Sequence, residues 1–318
     1  MKRVLAWSLT VLVMLGLAGC GKEKAPALTM GTGGMAGIYY SYGGVVGQLI
    51  EDHTGMDVTV VETQGSRENI LGMGSGDFQM ALVQSDVLSY AWQGRRDFDG
   101  ARVDNMRVVA GLYAEPIQLV AINPEIHYAD ELRGMKVSVG TPGSGVYYNA
   151  MDILDAVSLG LEDFVPQYLD VEQTIEALEA GTIDAAFLVA GCPTPALKAL
   201  SSKADFRLLP IDGPIAERVT TSCSFYAPHT IPAGTYQNQL SDVDTLAVRA
   251  TLVVSADLPS DQVYAITQAV FGNRDAIRSC NPMGQQLTPE TVAQGLTIPF
   301  HPGAEQYYNQ DDISLKHR

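Results

Sequence analysis

Apolar and polar positions alternate in a regular order along this chain. Leu28–Met30 is a short apolar strand pattern, and residues 38–53 carry a helical stripe at Tyr42, Val45, Val46, Leu49 and Ile50. Residues 57–62 alternate and are rich in β-branched side chains, which predicts a strand. A short helix at 67–74, a strand at 80–83 edged by Gln84-Ser85-Asp86, and a helix at 87–93 follow. The same order returns as strand 136–140, helix 146–157, strand 165–169, helix 171–179, strand 185–190, helix 193–201 and strand 206–209. Residues 245–254 read as a strand, and 261–271 and 289–295 as helices. Strands alternating with helices predict right-handed crossovers and largely parallel sheets, an α/β fold.

Two motifs also recur. Leu-Thr-Met-Gly-Thr-Gly-Gly-Met-Ala-Gly-Ile-Tyr-Tyr (28–40) is echoed by Val-Ser-Val-Gly-Thr-Pro-Gly-Ser-Gly-Val-Tyr-Tyr (137–148). Gly-Asp-Phe-Gln-Met-Ala-Leu-Val (76–83) is echoed by Gly-Thr-Ile-Asp-Ala-Ala-Phe-Leu-Val (181–189). Tyr40 and Asp77 lie 37 residues apart, and Tyr148 and Asp184 lie 36 apart. This matched spacing predicts two similar lobes, each aiming a glycine-rich strand-to-helix turn at a shared cleft.

The apolar stretch 106–122 is interrupted only at Ala114-Glu115-Pro116, which reads as two short strands with a bend, a crossing between lobes. A return crossing is expected near 222–228. Lobe one then comprises 28–113 and 229–318, lobe two 118–222, and the hinges 114–117 and 223–228. Proline and glycine are scattered without a linker, so the lobes are expected to be interwoven.

The first twenty residues have the layout of a secretory signal: Lys2 and Arg3, an apolar run of 14 residues from Val4 to Leu17, then Leu-Ala-Gly-Cys ending at Cys20. That run is short for a membrane span. The tetrapeptide resembles a bacterial lipobox, which implies lipidation of Cys20, and 21–27 reads as a tether. Loss of Lys2 and Arg3 deepens the net charge from −16 to −18 and leaves 298 residues, enough for two cores. Such acidity argues against nucleic acid as a partner. Three cysteines remain, and an oxidising compartment permits a Cys223–Cys280 bridge closing about 57 residues, worth ~4 kcal/mol in the chain-entropy model. Three thiols allow three pairings. The five histidines are dispersed, so no metal site is expected, and no cofactor.

Ligands in open α/β sheets bind beyond the strand ends, where helix N-termini present free N–H groups. Gly31, Gly33, Gly34, Gly143 and Gly145 let backbone approach a ligand, and Thr32, Thr141 and Ser144 add hydroxyls. A carboxylate gripped by both turns is the expectation. Gln64 to Asn69 and Gln84-Ser85-Asp86 follow first-lobe strands; Ser66 and Asn69 equally suit helix caps. Arg67 is either a carboxylate clamp or a solvated surface residue. Glu115 at the crossing either receives a ligand ammonium or faces solvent. Asn149 adds an amide one turn into the second-lobe helix. The partial dinucleotide fingerprint Gly31-x-Gly33-x-x-Ala36 is weak. Gly-x-Ser-x-Gly and His-Glu-x-x-His are absent, which argues against an extracytoplasmic hydrolase.

Further ordered motifs extend the pattern: Gly-Ser-Arg-Glu-Asn (65–69), Val-Gln-Ser-Asp-Val (83–87), Ile-Asp-Ala-Ala-Phe-Leu-Val-Ala-Gly (183–191), Ile-Pro-Ala-Gly-Thr-Tyr (231–236) and Pro-Phe-His-Pro-Gly-Ala (299–304). Together, from Leu28 to Tyr308, the chain resembles the TAXI family, solute-binding receptors of tripartite ATP-independent periplasmic (TRAP) transporters. The resemblance implies a type II periplasmic binding protein fold, capture by lobe closure, delivery to a two-part, ion-driven permease, and no chemistry on the solute. It implies glutamate, glutamine or 2-oxoglutarate as ligand. Carried over residue by residue, it implies contacts from Tyr39, Ser66, Asn69, Gln84, Ser85, Glu115, Thr141, Ser144, Gly145, Asn149 and the Ala190-Gly191 turn.

Two positions depart from the family pattern. Arg67 stands where many members have a small apolar residue, and Cys192 makes a thiol facing the cleft an expectation. Lipid anchoring is not general in the family, and the residue after Cys20 does not say which membrane carries the anchor. The sequence thus predicts a monomeric, lipid-anchored periplasmic receptor for a small carboxylate, L-glutamate first. A 2-oxoglutarate receptor and a ligand sensor for a membrane signalling partner are the alternatives.

Overall fold

The computed structural model describes residues 27–35 and 37–315. The leader, Cys20 and most of the tether lie outside the described residues. The chain runs through β1 (Leu28–Gly31), α1 (Ile38–Thr54), β2 (Val58–Val61), α2 (Ser66–Ser75), β3 (Met80–Gln84), α3 (Ser85–Gln93) and β4 (Met106–Ala121). It continues through β5 (Lys136–Ser138), α4 (Gly145–Ala156), β6 (Val165–Gln167), α5 (Val171–Glu179), β7 (Ala185–Val189), α6 (Pro195–Leu200), β8 (Arg207–Leu209) and α7 (Gly213–Ser222). β9 (Ala227–Ile231), β10 (Val243–Ser255), α8 (Ser260–Phe271), α9 (Arg274–Cys280) and α10 (Pro302–Gln310) complete it.

Strand order is β2-β1-β3-β10-β4-β7-β5-β6, with β8 added beside β4 and β9 beside β10. Within each lobe the β-α-β units pair in parallel: β1 with β2 and β3, and β5 with β6 and β7. The long strands β4 and β10 pair antiparallel with each other and with their neighbours. These are the two curled α/β lobes that the repeated motifs predict. α8 packs on α1, α10 and the outside of β4.

Both crossings differ from the sequence expectation. Residues 106–121 form one continuous strand, because Ala114, Glu115 and Pro116 stay extended and pair with Arg249, Val248 and Ala247 of β10. β10 makes the return, so the expected hinge at 223–228 and a first lobe resuming at 229 are corrected. Residues 227–231 pair with 243–247 at the second-lobe end of β10. Ile231 and Tyr236 are buried in a cluster with Val120, Leu188 and Leu197. Tyr236 also bonds Gln118 and the Thr194 N–H, so this segment belongs to lobe two. Each crossing is thus a strand of a shared sheet, whose ladder bonds stiffen the join between lobes.

Smaller departures have local causes. Ser85 and Asp86 open α3 instead of ending β3, and residues 289–295 form turns, not a helix. α7 and α9 escape the apolar pattern because each buries a single side chain fully, Val219 and Ile277. Cys192, Cys223 and Cys280 are all free, so the expected Cys223–Cys280 bridge is absent. Cys223 caps α7, half-buried near Tyr90 and Asp152, whereas Cys280 is exposed at the end of α9.

Candidate functional site

Four helices start at the cleft between the lobes. α1 begins after the Gly33-Gly34 turn, where the Gly37 N–H donates to Gly34 O at 2.8 Å. α2 begins at Gly65, whose φ of 102° and ψ of −152° suit only glycine. α4 begins at Ser144, whose Oγ accepts from the Tyr147 N–H at 3.2 Å. α5 begins at Asp170, whose carboxylate accepts from the Gln173 N–H at 2.8 Å. Residues from the first turn of every one of these helices line a cavity of about 440 Å³. Helix N-termini carry backbone donors and a partial positive charge, and four of them are aimed at this cavity. Ile38, Val146, Leu169 and Phe187 to Ala190 supply its apolar wall.

Glu115 stands in this cavity at 3% exposure. Tyr39 donates its hydroxyl to Glu115 Oε2 at 2.8 Å, and no cation pairs with Glu115 among the described residues. Burial raises its pKa to about 8, the Tyr39 bond opposes the rise, and the nearby Asp86 charge adds to it. Asp86, also buried, is raised to about 7 chiefly by desolvation. Burial thus favours the protonated form of Glu115, and a positive charge beside it would favour the carboxylate.

Of the residues expected from sequence, Gly33, Tyr39, Ser66, Gln84, Glu115, Thr141, Ser144, Gly145 and Ala190 line the cavity. Four do not. Asn69 is fully buried: its Nδ2 donates to Thr32 O at 2.6 Å and Leu82 O at 2.7 Å, and its Oδ1 accepts from Thr63 at 2.7 Å. It ties three strand ends together. Ser85 Oγ accepts from the Arg249 N–H at 3.0 Å and joins α3 to β10. Asn149 donates to Asp86 at 2.8 Å and to Tyr226 at 2.7 Å, deep between α3 and α4. Gly191 packs so tightly on Met283 that a Cβ would overlap its sulfur.

Arg67 also stays out of the cavity; it borders a neighbouring groove and pairs with Asp97 at 3.6 Å. Cys192 packs against the second-lobe cluster, 3.6 Å from the Tyr236 hydroxyl, and burial pushes its thiol pKa up. No cluster able to hold a metal occurs among the described residues.

Glu62, Thr63, Leu169, Asp170, Val171, Glu172, Thr174 and the 187–189 strand end line the cavity but were not expected. The signal for part of this set was present in the repeat. Residues 169–172 follow β6 as residues 62–66 follow β2, so the argument that selected Ser66 selects Asp170 and Glu172.

Across the cleft, α3 and the turn after it meet α4 through side chains. Tyr90 and Tyr226 both donate to Asp152, at 2.8 and 2.7 Å; Arg96 pairs with the same carboxylate, and Tyr148 donates to Asp97 at 2.9 Å. These bonds hold the lobes together beside the cavity.

Residues 30–311 match the NMT1-like family. The chain belongs to that family. The alkanesulfonate-binding protein from Xanthomonas axonopodis pv. citri, solved with MOPS bound, is similar in structure, with a TM-score of 0.51 at 16% identity over 90% of this chain and 84% of that one. The ligand-binding component of an ABC-type import system from Staphylococcus aureus, solved with zinc, is similar at a TM-score of 0.50 and 10% identity, covering 91% and 93% of the two chains. At these identities the likeness shows the fold: this NMT1-like chain has the two-lobed architecture of solute-binding proteins. No helix among its described residues is long and apolar enough to cross a membrane.

Proposed function

We propose that this NMT1-like protein is an extracytoplasmic receptor that captures a small α-amino acid between its lobes and delivers it to a membrane permease. The observation that carries the reading is Glu115, a buried carboxyl group lining the cavity, held by the Tyr39 hydroxyl and by no cation among the described residues. A carboxylate in that setting is destabilising until paired, and a ligand ammonium pairs it. Helix N-termini at the cavity supply N–H donors to the α-carboxylate. The protein holds the solute and does no chemistry on it.

The TAXI resemblance supports a TRAP-type permease as partner and L-glutamate as the first ligand to try. The lipobox pattern at Cys20 supports a receptor outside the cytoplasm, anchored by lipid. The 2-oxoglutarate alternative is weaker, because a keto acid brings no ammonium to Glu115 and no cation lines the cavity among the described residues. A sensor for a membrane signalling partner would use the same site, and no feature of the site favours it.

A thermal-shift panel tests the reading, on protein first partly unfolded and refolded to remove co-purified solute. A ligand at 100-fold its dissociation constant adds ~2.7 kcal/mol to the folded state, a rise of several degrees. A rise with amino acids that 2-oxoglutarate does not produce, and that Glu115→Gln abolishes, is expected. Equal rises for glutamate and 2-oxoglutarate would remove Glu115 from its role. No rise with any amino acid would discard the solute class.

A further inference from the structure

Charge on the cavity wall is one-sided. Besides buried Glu115, the lining carries Glu62 from the first lobe and Asp170 and Glu172 from the second, all three exposed. Among the described lining residues there is no lysine, arginine or histidine. Glu62 accepts from the Met35 N–H at 3.1 Å and Asp170 from the Gln173 N–H at 2.8 Å, and each bond uses one of the two carboxylate oxygens. Glu172, in the first turn of α5, points no side-chain bond at another described residue.

A second observation does not depend on these carboxylates. Gln84 lines the same cavity at 4% exposure, and its Oε1 is buried with no donor facing it. A buried amide oxygen left without a partner is destabilising by a full desolvation penalty, and a ligand N–H removes that penalty. The acidic rim asks for donors on the ligand, while the helix N-termini ask for an acceptor.

We infer that the solute is an α-amino acid whose side chain carries a second positive charge, of the lysine, ornithine or arginine class. The inference rests on the amino-acid reading above and deepens it. The α-ammonium meets Glu115 and the α-carboxylate meets the N-termini of α1, α2 and α4. The distal ammonium or guanidinium faces Asp170, Glu172 and Glu62. An acidic side chain would face the same carboxylates without a cation to offset them. The net charge of −16 attracts a cation and repels an anion at long range.

Isothermal titration of the full chain in detergent, stripped of co-purified solute, decides the matter. L-Lysine, L-ornithine, L-arginine, L-glutamine, L-glutamate and 2-oxoglutarate are compared at low and physiological salt. The cationic amino acids are expected to bind at least about tenfold more tightly than glutamine, with the margin shrinking as salt screens the rim. Glu172→Gln and Asp170→Asn, which keeps a capping oxygen for α5, should each weaken the cationic ligands about two- to fivefold and should weaken them more than glutamine. Glutamine or glutamate binding as tightly as lysine and arginine, or rim substitutions that weaken every ligand alike, would overturn the inference. In those cases a Glu115-dependent preference for amino acids over 2-oxoglutarate leaves the receptor reading intact. Silence from every amino acid takes both down.

Discussion

The side-chain amide of Gln84, at the end of β3, occupies the space that a Cβ on Gly145 would fill at the start of α4. One residue belongs to each lobe, so the glycine is what allows the lobes to approach at the cavity. Gly145→Ala puts a methyl group into that contact. The clash falls on the far end of a flexible side chain, so the lobes still fold, and the loss is in the approach between them. Ligand affinity is expected to fall at least about tenfold, a loss of ~1.4 kcal/mol. In a Gln84→Ala background the same substitution should be nearly silent, because the atoms it meets are gone. A double-mutant cycle on dissociation constants measures the difference. Additive losses would mean that the two residues act separately.

Glu115 makes binding depend on pH. Its pKa without ligand is about 8, so pairing with an ammonium expels a proton at pH values below that and above the pKa of the paired group. Affinity for an amino acid should therefore rise up to tenfold per unit between pH 6 and 8 and then level off. Stability of the ligand-free chain runs the other way. The folded pKa lies above the unfolded value of about 4.3, so the contribution of Glu115 is fully present below about pH 4 and is lost as pH rises through about 8. Asp86, raised to about 7, has the same sign. Glu115→Gln should flatten the affinity profile and remove part of the stability slope. Titrations in two buffers of different ionisation enthalpy count the expelled proton directly; a count of zero at pH 6.5 would refute the linkage.

The glycine-rich turns, Tyr39 and Gln84 were legible in the sequence because each closes or follows a strand that the hydrophobic pattern marks, and Glu115 because it is a charge deep in an apolar stretch. Asn69, Ser85 and Asn149 also sit at such positions and turn inward instead. Asn69 satisfies the Thr32 and Leu82 carbonyls, and Asn149 bonds the Asp86 carboxylate. An amide that clasps strands and an amide that meets a ligand are the same letter; only the surrounding unsatisfied groups decide its direction. β4 misled for a related reason, since Glu115 and Pro116 suggest a bend until the β10 partner that keeps them extended is present. The second-lobe rim was missed although the internal repeat pointed to it.

The thiols give a direct chemical check on the fold. Cys192, Cys223 and Cys280 are free, so unfolding residues 21–318 without reductant should release three thiols to a disulfide reagent, where a bridge would leave one. In the folded protein Cys280 should react first, being exposed. Cys192 and Cys223 should lag, because burial raises both thiol pKa values and lowers the thiolate fraction.

Asn69 separates a structural clasp from a ligand contact. It makes three buried hydrogen bonds, to Thr32 O, Leu82 O and the Thr63 hydroxyl, and takes no part in the cavity wall. Each such bond contributes about 0.5–1.5 kcal/mol net, and carbonyls left unpaired add to the loss. Asn69→Ala is therefore expected to destabilise the chain by about 2–4 kcal/mol, read as a lower urea midpoint with an unchanged slope. Ligand affinity at temperatures well below the transition should change less than threefold. The opposite pattern, a small stability change with a large loss of binding, would return Asn69 to the ligand shell and require the amide to swing toward the cavity when solute enters.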